Sequence, residues 1–136
     1  MYIAIEVRGD SLSPDTVTEA ISVNPSSSFC KGDLHKSKSG KSRTDKTGGW
    51  RFYSTDLVSS ENAEDHISFV FDILNSLKTP ISGLHGVDTV WIDLFCDIEV
   101  SDDKHSFGNV ILKKDMLNIL TFHGVDVVFS YDAYEE

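Results

Sequence analysis

The amino-acid sequence begins with a run in which every second residue is apolar. Ile3, Ile5 and Val7 occupy these positions, and the same period of two returns at 90–100 and at 125–131. A period of two is typical of a β-strand that buries one of its faces. We therefore predict three such strands, one at the start of the chain and two in its second half.

Apolar residues three and four positions apart predict helices between these strands. The first predicted helix begins at Ser13, whose hydroxyl can cap it, and ends before Pro25, because the residue preceding a proline disfavours the helical conformation. The second covers about 62–78 and has Ser60 or Asn62 as its N-cap. Acidic residues fill the first turn of this second helix, where the helix dipole favours negative charge.

Shorter patterns complete the series of elements. Residues 26–30 and 50–55 favour short strands, and the second of these segments is rich in aromatic side chains. A further short strand is predicted at 109–111. A third helix is predicted over about Lys113–His123, with Gly124 as its C-terminal cap.

The order of these elements predicts the fold class. The strands alternate apolar and charged residues, whereas the strands of a parallel sheet covered on both faces are continuous apolar runs. We therefore predict a single α+β domain over residues 1–136. It has a mixed, largely antiparallel sheet with about three helices mainly on one face. Residues 1–98 follow the order β-α-β-β-α-β, which predicts a ferredoxin-like variant.

Length and composition bound the location of the protein. A chain of 136 residues is large enough for one domain with its own core. The N-terminus lacks the basic and apolar regions of a signal peptide, and no apolar run approaches the ~20 residues of a membrane span. Two cysteines are too few for a disulfide scaffold. These features predict a cytoplasmic protein that does not associate with membranes.

Positive charge is concentrated in one segment of an acidic protein. The formal net charge is −10, but residues 31–51 hold seven of the twelve Lys and Arg residues and two of the 22 acids. This segment therefore carries +5 and the rest of the chain −15. Since phosphate backbones need a positive footprint, general nucleic-acid binding is excluded. Ser, Lys and Gly dominate residues 32–49, which predicts a mobile basic loop.

The basic loop is a candidate binding site for a small anionic ligand or phosphate. Its cations lie two or three residues apart, so they could fold around an acidic group, although they could equally form only a solvated hairpin tip. The candidate residues of this segment are Lys36, Lys38, Lys41, Arg43, Lys46 and Trp50.

A second candidate surface lies on the polar face of the strand at 90–100. Trp91 and Phe95 share this face with Asp93 and Asp97. Aromatic residues on an open sheet can stack bases, but the interleaved acids would repel a nucleic acid. The combination favours an interface with another protein or with a homodimer mate, unless the third helix or the loop covers the aromatic residues.

The sequence favours binding over catalysis. Gly40-Lys41-Ser42 looks like the end of a phosphate-binding loop, but position 35 is His where that motif needs Gly. The five histidines form no pair at metal-ligand spacing, so we predict no metal site, cofactor or catalytic residue. A site in which Cys30 or Cys96 meets a histidine stays open, because residues distant in sequence can converge.

Several short motifs, taken in order, resemble one protein family. They are Gly9-Asp10-Ser11-Leu12-Ser13-Pro14-Asp15, Val23-Asn24-Pro25, Phe29-x-Lys31-Gly32-Asp33, Gly49-Trp50 and the final strand ending at Tyr131. Together they resemble the bacterial family known as domain of unknown function 4279 over nearly the whole chain. The resemblance implies a cytoplasmic single α+β domain and no established activity or cofactor.

These observations lead to two functional hypotheses. The first is a non-catalytic protein-binding module, with an immunity-type inhibitor as its specific form, because the compact size is similar to that of bacterial immunity proteins. The alternative is a binder of a small anionic ligand or phosphate through residues 31–51.

Overall fold

The structure, a computed structural model, describes the backbone of residues 1–100 and 110–135 and the side chains of residues 1–97 and 110–132. This part of the chain contains three α-helices, one five-stranded sheet and one two-stranded hairpin. The strands are β1 (Tyr2–Gly9), β2 (Ser27–Phe29), β3 (Leu34–Lys36), β4 (Ser42–Thr44), β5 (Gly48–Tyr53), β6 (Thr89–Val100) and β7 (Asp126–Glu135). The helices are α1 (Pro14–Ile21), α2 (Ala63–Ser76) and α3 (Lys114–His123).

The main sheet has the strand order β2-β5-β1-β6-β7. Its first four strands are antiparallel to their neighbours, whereas β7 runs parallel to β6. Glu6 of β1 lies opposite Arg51 of β5 and opposite Trp91 of β6, so these three side chains share one face of the sheet. The strand β1 therefore lies between β5, which follows the basic segment, and β6, which carries the aromatic and acidic candidates.

The helices pack on the other face of the sheet and build the core. Ile5, Phe52 and Ile92 are directly paired across the strands and are at most 1% exposed. They form one cluster with Val17 of α1, with the apolar stripe of α2 and with Leu120 of α3. The face that carries Glu6 has none of these helices on it and is called the open face below.

The predicted α+β class and mixed sheet are confirmed, α2 and α3 lie within two residues of their expected bounds, and α1 ends at Ile21, short of Pro25. Asn62 rather than Ser60 is the N-cap of α2, since its Oδ1 accepts a hydrogen bond from the Glu64 N–H. Ser13 occupies the N-cap position of α1, but its side chain makes no capping hydrogen bond. The assignment to a ferredoxin-like variant stays a prediction.

Two other predictions differ from the structure. The segment 32–49, predicted as a loop, contains the paired strands β3 and β4. The strand predicted at 109–111 is absent at Val110 and Ile111, and Asn109 lies outside the described residues. The side chains of Ile98 and Glu99, predicted on opposite faces of β6, also lie outside them. The helices in the described ranges are too short and too polar to cross a membrane.

Candidate functional site: a cationic cleft beneath the hairpin

The β3–β4 hairpin leaves the sheet after β2 and returns to it at β5. His35 pairs with Arg43 across the hairpin, and Lys36 pairs with Ser42. The Asp33 carboxylate accepts a hydrogen bond from the Cys30 N–H, which fixes the turn that leads into β3. The chain therefore folds its basic segment back beside the open face.

A cleft of about 610 Å³ separates the hairpin from the open face. We call it the hairpin cleft. Its floor comes from β1, β2 and β5, and its wall comes from the hairpin and from the residues that follow β4. The lining residues are Arg8, Ser27, Ser28, Phe29, His35, Arg43, Thr44, Asp45, Lys46, Thr47 and Arg51.

The floor of the cleft is organised by a buried carboxylate. Glu6 is only 4% exposed although it lies on the open face. Arg8 Nη2 lies 3.3 Å from its Oε2, and Arg51 Nε contacts its Oε1. A buried charge is tolerated only when it is paired, so the two guanidinium groups are held in place by the group that they neutralise.

Aromatic rings hold the same arginines from the side. The Arg8 guanidinium lies 4.9 Å from the centre of the Phe29 ring and 6.0 Å from that of Trp91. Arg51 Nη1 donates a hydrogen bond of 2.9 Å to the Tyr53 hydroxyl. Cation–π contacts of this kind favour a fixed guanidinium position.

Gly49 makes the close approach of Phe29 and Arg8 possible. A Cβ atom at position 49 would lie 2.4 Å from Phe29 Cζ and 2.8 Å from Arg8 Nη1. Both distances are shorter than van der Waals contact. The glycine of the Gly49-Trp50 motif is therefore explained by the geometry of the cleft floor.

The wall of the cleft contains a second buried carboxylate. The Asp45 side chain is 6% exposed, and its Oδ2 lies 2.5 Å from His35 Nε2. Its Oδ1 lies 3.7 Å from Arg43 Nη2, while the Arg43 side chain is 78% exposed. Asp45 thus holds the imidazole of His35 and the guanidinium of Arg43 in the lining of the cleft.

The environment of Arg51 favours its charged form. Its burial lowers the pKa, but the Glu6 carboxylate and the hydrogen bond to Tyr53 outweigh that effect, so the pKa is raised above its ordinary value. The guanidinium is therefore charged at neutral pH.

The cleft is cationic in a molecule that is strongly acidic. Four permanent cations line it, namely Arg8, Arg43, Lys46 and Arg51. Two carboxylates contact these cations, Glu6 from below and Asp45 from the wall. Four positive and two negative charges leave a local charge of +2, against −10 for the whole chain.

The predicted basic residues separate into two groups. Arg43 and Lys46 line the hairpin cleft, whereas Lys36, Lys38 and Lys41 lie on exposed parts of the hairpin outside its lining. Trp50, the remaining candidate of this segment, lies away from the cleft. It is completely buried, and its indole N–H donates to Thr18 Oγ1 at 2.9 Å, so it is a core residue of β5.

The residues predicted on the polar face of β6 do share the open face. Trp91 and Phe95 are half-buried there, the first beside Arg8 and the second stacked on Tyr2 at 4.7 Å. Asp97 is exposed and lies 3.8 Å from the N-terminal amine, and Asp93 lies between the two aromatic residues. The aromatic rings are thus packed against neighbours within the face and do not stand free of it.

Sequence reasoning missed the residues of the floor. Glu6, Arg8 and Phe29 come from two strands that are about twenty residues apart, and only the strand pairing brings them together. The sequence signal that could have indicated them is the pair of opposite charges, Glu6 and Arg8, at alternate positions of β1. Such a pair lies on one face of a strand.

The buried histidines have structural roles. His66 Nδ1 lies 2.7 Å from Ser54 Oγ and its Nε2 lies 2.7 Å from the Ser60 carbonyl oxygen. Both Ser54 and His66 are at most 1% exposed, so this Ser–His pair is closed to a substrate. In the described ranges, no three His, Cys, Asp or Glu side chains group as metal ligands. Cys30 and Cys96 are free thiols.

Fold and site together define an α+β protein with a preformed cationic cleft on the face of its sheet that the helices leave open. The chain belongs to the family described as domain of unknown function (DUF4279), whose model matches residues 1–134. This confirms the resemblance found in the sequence motifs. No curated protein and no solved structure matches the chain.

Proposed function

We propose that the protein is a binding protein that takes an anionic group into the hairpin cleft. The observation that carries the proposal is the local charge of +2, built from four cations on two sides of one cleft, in a chain of net charge −10. A local excess of positive charge attracts an anion that the acidic remainder of the surface repels. The cytoplasmic location predicted from the sequence stays part of this proposal.

The positions of the arginines support binding. Arg8 and Arg51 are held by Glu6 and by aromatic rings before any ligand arrives, so little side-chain entropy is lost when an anion binds. A guanidinium presents several N–H donors in a plane, which suits carboxylate and phosphate oxygens. Arg43 and Lys46 approach the same space from the wall.

The test is the effect of inorganic phosphate on thermal stability. A ligand that binds only the folded state raises the melting temperature, and the rise increases with ligand concentration. We expect millimolar phosphate to stabilise the wild type at low ionic strength. The variant Arg43→Glu/Lys46→Glu should lose this stabilisation, since it reverses the cations of the wall.

A matched control is available on the same hairpin. The variant Lys36→Glu/Lys38→Glu makes the same change in net charge, but neither residue lines the cleft. It should keep most of the phosphate effect. An equal loss of the phosphate effect in both double variants would mean that phosphate is attracted by the total charge of the hairpin and not bound in the cleft. The absence of any effect of phosphate, sulfate or carboxylates on the wild type would refute the proposal.

The protein-binding module, with the immunity-type inhibitor as its specific form, is the second candidate. One observation favours it: the open face carries the half-buried rings of Trp91 and Phe95 beside the exposed Asp97. Aromatic residues within a polar surround suit contact with another protein or with a homodimer mate. If Trp91→Ala and reversal of the charges from Lys36 to Lys46 both left every association of the protein intact, this candidate would fail.

A further inference from the structure

We infer that the ligand of the hairpin cleft is a small organic phosphate monoester, bound as its dianion between the arginines of the floor and the cations of the wall. The inference rests on the proposed function and narrows it to one class of ligand. Three properties of the cleft carry it: its charge, its arrangement of donors, and its size and surface.

The charge of the cleft matches a dianion. On the floor, Arg8 and Arg51 exceed Glu6 by one positive charge, and on the wall, Arg43 and Lys46 exceed Asp45 by one. A phosphate monoester carries about −1.5 to −2 charges at neutral pH. A carboxylate or a sulfate monoester carries only one and would leave the cleft half-neutralised.

The cleft offers hydrogen-bond donors on its floor and on its wall. Arg8 Nη2 donates a hydrogen bond to Glu6. Arg51 Nε contacts Glu6, and Arg51 Nη1 donates a hydrogen bond to the Tyr53 hydroxyl. Within the described residues, Arg8 Nη1 and Arg51 Nη2 make no hydrogen bond. Arg8 Nη1 packs over Gly49, whereas Arg51 is paired with Ser27, another residue of the cleft lining. A tetrahedral phosphate offers several oxygens to donors on the two sides of the cleft, whereas a planar carboxylate has only two.

Size and surface indicate that the phosphate is attached to an organic group. A cleft of about 610 Å³ lies within the range of small-molecule sites and is much larger than a bare phosphate ion. Phe29 gives the cleft an apolar ring surface, held edge-on to His35 with 6.3 Å between the ring centres. A ring or sugar next to the phosphate would pack against Phe29 and fill the remaining volume.

The experiment compares ligands that differ in one property at a time. Binding is measured by isothermal titration calorimetry at pH 7.5 and low ionic strength. The probes are phenyl phosphate, phenyl sulfate, inorganic phosphate and adenosine 5′-monophosphate. We expect phenyl phosphate to bind about tenfold more tightly than phenyl sulfate, a difference of about 1.4 kcal/mol. Phenyl phosphate and adenosine 5′-monophosphate should both bind more tightly than inorganic phosphate.

A variant separates charge matching from general attraction. Arg43→Gln lowers the cleft charge from +2 to +1, and the side chain is exposed enough to be replaced without unfolding the protein. Its preference for phenyl phosphate over phenyl sulfate should fall to about threefold or less, because the monoanion now suffices. Lys38→Gln, outside the cleft, should keep the wild-type preference.

The outcomes distinguish this inference from the proposed function. Equal affinity for phenyl phosphate and phenyl sulfate would overturn the dianion preference and leave the anion site standing. Inorganic phosphate binding as tightly as both esters would overturn the organic part of the ligand. A wild type that binds none of the four probes would contradict both the inference and the proposed function.

Discussion

Gly49 is the residue at which the geometry of the cleft is most sensitive to a single atom. The Phe29 ring and the Arg8 guanidinium both lie over its Cα, in the space that a side chain would occupy. Each of these groups in turn forms part of the cleft floor. One added methyl group therefore acts on the packing of the sheet and on the position of a binding arginine at the same time.

The variant Gly49→Ala should lose both stability and ligand binding. We expect the free energy of unfolding to fall by about 1–3 kcal/mol, the usual cost of overpacking. The stabilisation by phosphate should be reduced, because Arg8 is displaced. Gly83→Ala is the matched control, since a Cβ atom at Gly83 would meet nothing within 4 Å. Thermal unfolding with and without phosphate measures both effects. Unchanged binding in Gly49→Ala would show that Arg8 is not needed in its present position.

A second prediction at the residue scale concerns His123 and pH. Its ring is 1% exposed, accepts a hydrogen bond from the Ile81 N–H at Nδ1 and donates from Nε2 to the Leu74 carbonyl oxygen at 2.7 Å. Burial lowers the pKa of His123, although the bond to Leu74 opposes this effect. The unfolded chain therefore takes up a proton at a higher pH than the folded protein does. The stability that His123 contributes is complete above about pH 6.5 and is lost as the pH falls below that value.

The variant His123→Gln tests this dependence. It should be less stable than the wild type at pH 7.5 by about 1–3 kcal/mol, because at least one buried hydrogen bond is lost. The difference between the two proteins should shrink between pH 7 and pH 5.5, since only the wild type loses the contribution of His123 in that range. Urea unfolding at several pH values gives both numbers. His66 is present in both proteins, so its contribution cancels. A constant difference across this pH range would contradict the prediction.

At the scale of elements, the two capping positions identified from the sequence make different contributions. Asn62 caps α2 through a hydrogen bond of 3.0 Å from the Glu64 N–H to its side chain. Ser13 precedes α1 in the same backbone conformation, but its hydroxyl makes no such bond. Residue type and position alone indicate where a cap can form. The orientation of the side chain decides whether it does.

Removing each cap should show this difference. We expect Asn62→Ala to lower the free energy of unfolding by about 1 kcal/mol, the typical value of a side-chain cap. Ser13→Ala should change it by less than about 0.5 kcal/mol, as an ordinary exposed substitution does. Urea denaturation of the two variants beside the wild type is sufficient. A larger loss in Ser13→Ala than in Asn62→Ala would reverse the assignment of the two caps.

The elements with a strong local pattern could be predicted from the sequence, and those defined by long-range contacts could not. The apolar period of α2 and the alternation of β6 are properties of consecutive residues, so they were recognised. The strands β3 and β4 have three exposed residues each and bury no apolar face, so their sequence has no period to detect. The same reason explains the site. Arg43 and Lys46 were found by local charge, whereas Arg8 joins them only through the pairing of β1 with β5.

At the scale of the whole molecule, the folded chain separates its charges. The cleft has a charge of +2, so the remainder of the protein carries −12 when the net charge is −10. The acidic groups repel one another and oppose folding, while the cleft attracts anions that the rest of the surface repels. Salt screens both interactions, because the Debye length falls from about 30 Å at 10 mM to about 8 Å at 150 mM.

Salt should therefore stabilise the free protein and weaken the stabilisation that phosphate adds. Raising sodium chloride from 10 to 150 mM should increase the melting temperature of the free protein, since it weakens repulsion among the acids. It should also reduce the stabilisation by millimolar phosphate by roughly half or more, since it weakens attraction in the cleft. The variant Arg43→Glu/Lys46→Glu is the control. Its two reversals of two units each take the net charge from −10 to −14. Salt should stabilise this variant more strongly than the wild type, and phosphate should have no effect on it. If salt left the phosphate effect in the wild type unchanged, binding in the cleft would depend on contacts other than charge, and the role assigned here to its four cations would be wrong.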